Sequence, residues 1–282
     1  MVSQAEKGRI FRELHHQPGA FLIPNPWDAG TARLLEMLGF TALASTSAGH
    51  AFSQGLPDNG VSLEPTLRHL ADLSAATELP VSADLGNGFG IDPESIAETI
   101  RLAAAAGVVG ASIEDTTGEM ESPIHDLGLA IERIRSAVDV ARGLSFPFTL
   151  TARADNYVVG RPDLKDTIRR LQAFQDAGAD VLYAPGLKTL EEIRIVVASV
   201  DRPVNVLMGF ADVAFGVAEL SGLGVKRVSV GGSLARAALG AFLRASREMR
   251  ECGTFSYGRD AVSSKEIDAM LQQGLSGGNE GK

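Results

Sequence analysis

The sequence contains little cysteine, little positive charge and no long hydrophobic run. Its 282 residues include one cysteine, Cys252, so the chain cannot close an intrachain disulfide and gives no sign of an oxidising compartment. No segment approaches the roughly 18 uninterrupted apolar residues that a membrane-spanning helix needs. The opening MVSQAEKGRIFREL also lacks the apolar stretch of a signal peptide. We therefore expect a cytoplasmic protein with no membrane partner.

Acidic residues outnumber basic residues in the chain. There are 26 Lys and Arg residues against 35 Asp and Glu, giving a net charge of -9, and no Lys/Arg run is longer than two. Such a surface repels nucleic acid, so we expect no nucleic-acid partner. The 45% hydrophobic and 22% charged residues are typical of a globular protein that buries a sizeable core without disulfides or metal.

Short apolar runs alternate with amphipathic segments along the chain. The runs are nearly continuous rather than alternating, which is typical of parallel strands covered on both faces. They occupy residues 21–24, 41–45, 80–84, 109–114, 148–153, 180–184, 203–207 and 227–230. The clearest helical patterns occupy residues 93–106, 127–142 and 164–177, and a further helix is predicted at 263–274.

Eight such units predict an α/β protein with a (β/α)8 TIM barrel. An open, doubly wound sheet is the alternative. We expect a single domain over residues 1–282, with the barrel at about 20–250 and a C-terminal helical arm at about 260–275. The arm either covers the barrel or is exchanged with a neighbouring subunit.

Unusual polar residues collect where barrel enzymes build their sites, at the carboxyl ends of the strands. Those at the ends of, or within, the predicted strands are Asp84, Glu114, Asp115, Arg153 and Asn205. The segment STSAGHAFSQGLPDNG after the second strand adds Ser47, His50 and Asp58.

An all-oxygen acidic set suits a hard cation. Asp58, Asp84 and Glu114 offer carboxylates without zinc-like His or Cys spacing, which indicates Mg²⁺, or alternatively Mn²⁺. Arg153 presents a permanent charge and a planar fork suited to a substrate carboxylate. The alternative is structural: Asp84 and Glu114 would be buried salt-bridge partners of Arg153.

Several motifs, in order, resemble the isocitrate lyase/phosphoenolpyruvate mutase superfamily. They are SAG at 47–49, PD at 57–58, SAD at 82–84, GFG at 88–90, IED at 113–115 and TAR at 151–153. The opening IPNPWDAGTARLLEMLGFTA and the later AGADVLYAPG and PVNVL are also similar. The resemblance covers roughly residues 10 to 245.

The resemblance implies a Mg²⁺ site and a binding site for a small carboxylic acid. Asp84 matches the direct metal ligand, while Asp58 and Glu114 match carboxylates that hold the metal's waters. The segment Ser47, Ala48 and Gly49 matches the part that binds the oxo-acid carboxylate. Arg153 matches an arginine on the same substrate, and Asn205 matches a position used for its second arm.

The resemblance also implies the reaction and the assembly. Family chemistry makes or breaks a C–C or P–C bond beside a pyruvate-like enolate. The side chains expected at the reaction are therefore Arg153, Glu114 and Asp58. The last helix is commonly exchanged between subunits, so a homo-oligomer is expected, either a dimer or a tetramer.

Two departures from the family pattern bear on the reaction. A second acidic residue usually follows two positions after the first metal ligand, where this chain has Gly86; Asn87 or Asp115 could hold the corresponding water. Isocitrate and methylisocitrate lyases carry a catalytic Cys in the loop after strand four, and phosphonate enzymes carry a Lys there. Residues 116–125 contain neither, and their candidate acids or bases are Glu119, Glu121 and His125.

We therefore expect a Mg²⁺-dependent lyase that cleaves a C–C bond of a small 2-hydroxy or 2-oxo carboxylic acid, by retro-aldol cleavage or decarboxylation. The alternatives are a phosphonopyruvate hydrolase or phosphonomutase, and a non-catalytic protein that binds 2-oxo acids.

Overall fold

The computed structural model describes residues 2–213 and 215–276. Strands and helices alternate as predicted, with one helix before the first strand. The strands are β1 (Phe21–Ile23), β2 (Leu43–Ala44), β3 (Val81–Asp84), β4 (Gly110–Glu114), β5 (Thr149–Arg153), β6 (Val181–Tyr183), β7 (Val204–Leu207) and β8 (Arg227–Ser229). The helices are α1 (Gln4–Leu14), α2 (Ala29–Met37), α3 (Ser47–Ser53), α4 (Leu63–Ala76), α5 (Pro93–Ala105), α6 (Leu127–Gly143), α7 (Leu164–Asp176), α8 (Leu190–Ala198), α9 (Val217–Gly222), α10 (Ser233–Cys252) and α11 (Ser264–Ser276).

The eight strands form one parallel sheet that curves into a nearly closed barrel. Every strand pairs with its sequence neighbour except at the β1–β2 seam, and β8 pairs back onto β1. At the seam, the Ala44 N–H donates to the Pro24 carbonyl at 3.1 Å. The predicted (β/α)8 barrel is confirmed, and the open sheet is excluded.

Local sequence explains where the helices begin and end. Asp92 caps α5 by accepting from the Ser95 N–H, with Pro93 at the first helical position, where its missing N–H costs nothing. Gly107 and Gly178 follow α5 and α7 with φ of 97° and 103°, a left-handed conformation that glycine adopts without strain. These turns lead directly into the next strand.

The register of the sheet sets how deep each side chain lies in the barrel. Cα pairing joins Glu114 to Arg153, Arg153 to Tyr183, Tyr183 to Asn205, and Asn205 to Arg227. This row starts at the last residue of β4 and ends at the first residue of β8. It therefore descends from the mouth of the barrel, at the carboxyl ends of the strands, to its amino end.

Apolar packing closes the amino end. Phe11 and Leu14 of α1 form a separate buried cluster with Ile23 and Val109. At the opposite end of the chain, α11 packs against α2, so the predicted arm exists; its exchange between subunits stays a prediction. Within the described part of the chain, no helix is both long and apolar enough to span a membrane.

Candidate active site

Asp84 is the last residue of β3 and is fixed by two neighbours from the β2–α3 turn. Its backbone N–H donates to Ser45 Oγ at 2.8 Å, and its Oδ2 accepts from the Ser47 N–H at 3.0 Å. Ser47 is the first residue of α3, where N–H groups have no acceptor within the helix. Asp84 therefore sits at a helix N-terminus, which favours its negative charge.

Three carboxylates converge on Arg153, the last residue of β5. Its Nη1 lies 3.2 Å from Asp84 Oδ1, and its Nη2 lies 2.9 Å from Glu114 Oε2 and 2.8 Å from Asp155 Oδ2. The guanidinium also lies over the Tyr183 ring, 5.2 Å from its centroid. We call Asp84, Glu114, Arg153 and Asp155 the mouth cluster. When ionised, it carries three negative charges and one positive charge.

Burial and mutual repulsion perturb this cluster. Desolvation raises the pKa of Glu114 to about 7, against the opposing attraction of Arg153, while Asp155 and Asp84 raise it further. Desolvation also raises the pKa of Asp155. The three acids in turn raise the pKa of Arg153, although burial alone would lower it. The cluster is therefore short of positive charge.

These residues fit a divalent cation. A further positive charge would balance the two surplus negative charges, and carboxylate oxygen is the ligand that Mg²⁺ prefers. Within the described residues, no three His, Cys, Asp or Glu side chains are arranged to hold a metal by themselves. Mg²⁺ usually takes one or two carboxylates and completes its shell with water and substrate oxygens.

The predicted carboxylate-binding segment lies beside the mouth cluster. Ser47 Oγ donates to Asp58 Oδ1 at 3.2 Å, which places the exposed Asp58 next to this segment but outside the contacts of Arg153. Ser47, Ala48 and Asp58 line the main cavity of about 600 Å³ at the mouth, together with the mouth cluster. Gly49 does not line this cavity.

Gly49 has a structural role, and its predicted part in substrate binding stays a prediction. Its N–H donates to Thr46 Oγ1 at 3.2 Å, which caps α3. A Cβ at this position would lie 2.6 Å from Thr46 Cγ2 and 3.0 Å from Trp27 Cβ. Because the Ser47 and Gly49 N–H groups are already bonded, Ala48 has the N–H of this segment that lacks an acceptor among the described residues.

Asn205 lies below the mouth. Its Nδ2 donates to Ser229 Oγ at 3.0 Å, and its Oδ1 accepts from Arg227 Nε at 2.9 Å. It lines a small interior cavity of about 50 Å³, not the main one. Asp84 and Arg153 also border that small cavity, so Asn205 lies directly beneath the mouth cluster, and its contact with substrate stays a prediction.

Asp115 cannot hold a water for the missing acid at Gly86. It is 3% exposed, accepts from the Asp155 N–H at 2.9 Å and pairs with Arg170 Nη1 at 3.1 Å. Asp115 borders neither the main cavity nor the smaller one beside it. The additional carboxylate at the mouth is Asp155, which the sequence analysis missed.

The loop after β4 folds back on itself as a short hairpin. Thr116 and Ile124 form an antiparallel bridge, and the Thr117 N–H donates to the Pro123 carbonyl at 3.0 Å. Of the three candidate acids or bases, Glu119 lines the main cavity. Glu121 and His125 do not, and His125 is buried beneath the loop.

A comparison with protein-family models assigns the family of this chain. The model of the phosphoenolpyruvate phosphomutase family matches residues 11–250. The chain belongs to this family. Its predicted place in the isocitrate lyase/phosphoenolpyruvate mutase superfamily is thereby confirmed, and its relatives with assigned reactions include C–C lyases.

Three similar proteins illustrate the range of the family. A Burkholderia cenocepacia J2315 protein, provisionally classified as a lyase/mutase, is 60% identical, with a TM-score of 0.92 over 94% of this chain and 95% of that chain. An uncharacterized Mycobacterium tuberculosis protein is 32% identical over 86% of this chain and 89% of its own length. The 2-methylisocitrate lyase of Halalkalibacterium halodurans is 28% identical over 72% of this chain and 67% of its own length.

A protein of lower sequence similarity shares the fold. It is a phosphonopyruvate hydrolase solved with oxalate and Mg²⁺, with a TM-score of 0.84 and 22% identity over 100% of this chain and 99% of that chain.

Proposed function

We propose that this protein is a Mg²⁺-dependent lyase that cleaves a C–C bond of a small 2-oxo or 2-hydroxy carboxylic acid. The observation that carries the proposal is the convergence of Asp84, Glu114 and Asp155 on Arg153 at the mouth of the barrel. Residues 116–125 contain neither Cys nor Lys. Retro-aldol cleavage and decarboxylation are therefore favoured, because they require the fewest catalytic side chains from this loop.

Asp84 would hold the cation directly, and Glu114 and Asp58 would hold it through water. Mn²⁺ could replace Mg²⁺ at such oxygen ligands. When bound, the cation acts as a Lewis acid that stabilises the negative charge of an enolate. The hydrolase solved with Mg²⁺ and oxalate supports a cation here, and together with the 28% identical 2-methylisocitrate lyase it supports a small carboxylic acid as ligand.

The chain's own donors would bind the substrate carboxylate. Arg153 contributes its positive charge, and Ser47 contributes a hydroxyl that would turn from Asp58 to the substrate. The Ala48 N–H at the start of α3 has no acceptor among the described residues. A carboxylate beside a helix N-terminus is favoured by the partial positive charge there. These groups would orient the scissile bond above the mouth cluster.

Glu114 is the candidate for moving the proton. It lines the main cavity, and burial raises its pKa, which favours its accepting and returning a proton. In retro-aldol cleavage, Glu114 would take the proton of the 2-hydroxyl as the C–C bond breaks. The bonding electron pair passes to the carbon of the other fragment that adjoins its own carbonyl or carboxylate group, giving an enolate or its carboxylate equivalent, and that carbon is then protonated. Glu119, at the cavity rim, is the second candidate for that protonation.

A substrate panel tests this proposal. The protein, with Mg²⁺ and then with excess EDTA, is incubated with oxaloacetate, 2-methylisocitrate and phosphonopyruvate, and the products are followed by proton and phosphorus NMR. We expect cleavage of a C–C bond that EDTA abolishes and that Arg153→Lys reduces, because lysine cannot reproduce the planar fork. Turnover of phosphonopyruvate would favour the phosphonate reaction, and binding without turnover of any acid would favour a non-catalytic binding protein.

We also propose that the protein is a homo-oligomer. Helix α10 has 20 residues, yet only Ala235 is buried, and Leu239, Phe242, Leu243 and Met249 are exposed. A long amphipathic helix with an uncovered apolar face needs a partner for stability, and a second copy of the chain would supply it. Sedimentation is expected to give a dimer or tetramer, and Phe242→Glu to give smaller species; a wild-type monomer would contradict this.

A further inference from the structure

A smaller cavity of about 290 Å³ adjoins the main cavity. The two share Ser47, Asp84, Glu114 and Thr116, so a molecule bound at the mouth cluster can extend into the smaller one, which we call the side cavity. Its far walls come from α3, α4 and the loop after β3. No Lys or Arg lies among the described residues that line it.

The side cavity is bordered by uncharged groups away from the mouth cluster. Val61, Leu85 and Phe89 contribute apolar surface, and Thr66 and Asn87 contribute neutral polar groups. An anionic group in this space would lose its hydration without gaining a counter-ion, which is costly. An uncharged group would meet no such penalty.

The remaining wall is a pair of histidines. The rings of His50 and His69 lie 3.9 Å apart between centroids, and they also border a hollow on the outer surface, so they separate the side cavity from solvent. Burial lowers the pKa of both rings, that of His69 to about 4, so both are uncharged at neutral pH. The pair therefore supplies no positive charge to the cavity.

Both cavities are lined by more acidic than basic side chains, which also disfavours an anionic group in the side cavity. The acids that line them are Asp58, Asp84, Glu114, Glu119 and Asp155, and the one cationic residue among their described lining residues is Arg153, which already contacts three of these acids. One divalent cation would leave the site with surplus negative charge. A substrate carboxylate in the side cavity, away from Arg153 and the cation, would therefore be repelled.

We infer that the side cavity is a subsite for an uncharged arm of the substrate. The substrate class is then a 2-oxo or 2-hydroxy acid whose carboxylate groups bind at the mouth cluster, beside Arg153 and the cation, and whose remaining arm is an uncharged group of a few carbon atoms. This inference rests on the proposed function, because it assumes that a carboxylate and a cation bind at the mouth cluster.

A matched pair of ligands tests the inference. 2-Oxopentanoate and 2-oxoglutarate share a five-carbon 2-oxo acid chain and differ at the far end, which is a methyl group in one and a carboxylate in the other. Calorimetric titration with Mg²⁺ present is expected to give binding of 2-oxopentanoate at least about tenfold tighter than that of 2-oxoglutarate. Pyruvate, which has no second arm, serves as the reference for binding at the mouth.

A charge placed in the side cavity is expected to reverse the preference. Thr66→Lys adds a cation there, and Thr66→Met is the matched uncharged control of similar length. The lysine variant should gain at least about tenfold in 2-oxoglutarate affinity relative to 2-oxopentanoate, and the methionine variant should not. Pyruvate affinity should be similar in both. Val61→Lys, before α4, repeats the test if Thr66→Lys does not fold.

The outcomes separate this inference from the function on which it rests. Equal or tighter binding of 2-oxoglutarate by the wild-type protein would overturn the neutral subsite, and so would identical preferences in the lysine and methionine variants. If pyruvate and both longer acids all fail to bind with Mg²⁺ present, the proposed function itself is wrong.

Discussion

Arg153, whose side chain is 14% exposed, and Arg227, which is buried, both belong to barrel strands, but their surroundings are opposite. Arg153, at the end of β5, contacts three carboxylates. Arg227, at the start of β8, donates through Nε to Asn205, forms no ion pair with a described residue, and has a buried Nη1 without a partner. Burial lowers the pKa of Arg227 to about 10. The mouth thus has excess negative charge, and the amino end has excess positive charge.

A third arginine shows a more balanced arrangement. Arg170 of α7 pairs with Asp115 at 3.1 Å and Asp166 at 2.7 Å, and also donates to the His125 carbonyl at 3.0 Å. These groups join β4, the following loop and α7 without lining the main cavity. The Arg170 group therefore fits a role in stabilising the fold, whereas the imbalance at the mouth cluster fits the proposed binding of a cation.

The largest expected effect is a loss of activity without a loss of stability, caused by a substitution in the mouth cluster. Asp84→Asn keeps the shape of the side chain but removes a charge from a cluster with surplus negative charge. We expect the lyase activity to fall by about 100-fold or more, since a lost electrostatic contact to a reacting charge costs that much. Thermal unfolding should stay near the wild-type temperature or rise. Full activity, measured as kcat/KM with saturating Mg²⁺, would contradict the role given to Asp84.

The second-largest expected effect is on stability rather than on activity. It concerns the Arg170 group, which consists of Arg170, Asp115 and Asp166. Asp115→Ala leaves Arg170 with one acidic partner and the Asp155 N–H without its acceptor. Breaking a buried ion pair costs about 3 kcal/mol or more, which urea unfolding at pH 7 measures. Asp139→Ala, on the exposed face of α6, is the control and should change stability little. If the two variants were equally stable, the Arg170 group would not stabilise the fold, and it would not differ from the mouth cluster in this way.

The smallest effect concerns the amino end. His15 is 3% exposed, and burial, followed by repulsion from Arg227, lowers its pKa to about 3. The folded state keeps His15 neutral while the unfolded chain gains a proton below about pH 6.5, so stability falls as the pH drops from there towards 3. His15→Gln should reduce this slope by up to about 1.4 kcal/mol per pH unit.

Urea unfolding between pH 7 and pH 4.5 measures that slope. His16→Gln, at the exposed neighbouring position, is the control and should keep the wild-type slope. An unchanged slope in His15→Gln would show that His15 is protonated as easily in the folded protein as in the unfolded chain.

Strand position predicted much of the mouth cluster. Asp84, Glu114 and Arg153 each end a buried apolar run, and parallel strands bring those ends together. Asp155 was missed because it follows β5, outside the apolar run. Its spacing of two from Arg153 was the available signal, since alternate residues of an extended chain face the same side.

Depth in the barrel could not be predicted from the sequence. Asn205 belongs to a predicted strand, as Arg153 does, but the register pairs it with Arg227 at the start of β8 and so places it below the mouth. Register depends on how all eight strands stagger on closure, which no single segment encodes. The side cavity was missed for a related reason, because α3 and α4, which bear His50 and His69, are brought together by the fold.

Titration of the metal-free protein with Mg²⁺, in the presence of oxalate and followed by calorimetry, tests the central claim most directly. We expect one Mg²⁺ bound per chain in the wild-type protein and loss of that binding in Asp84→Asn. Absence of binding in the wild-type protein, or equal binding in the variant, would contradict a cation at the mouth cluster.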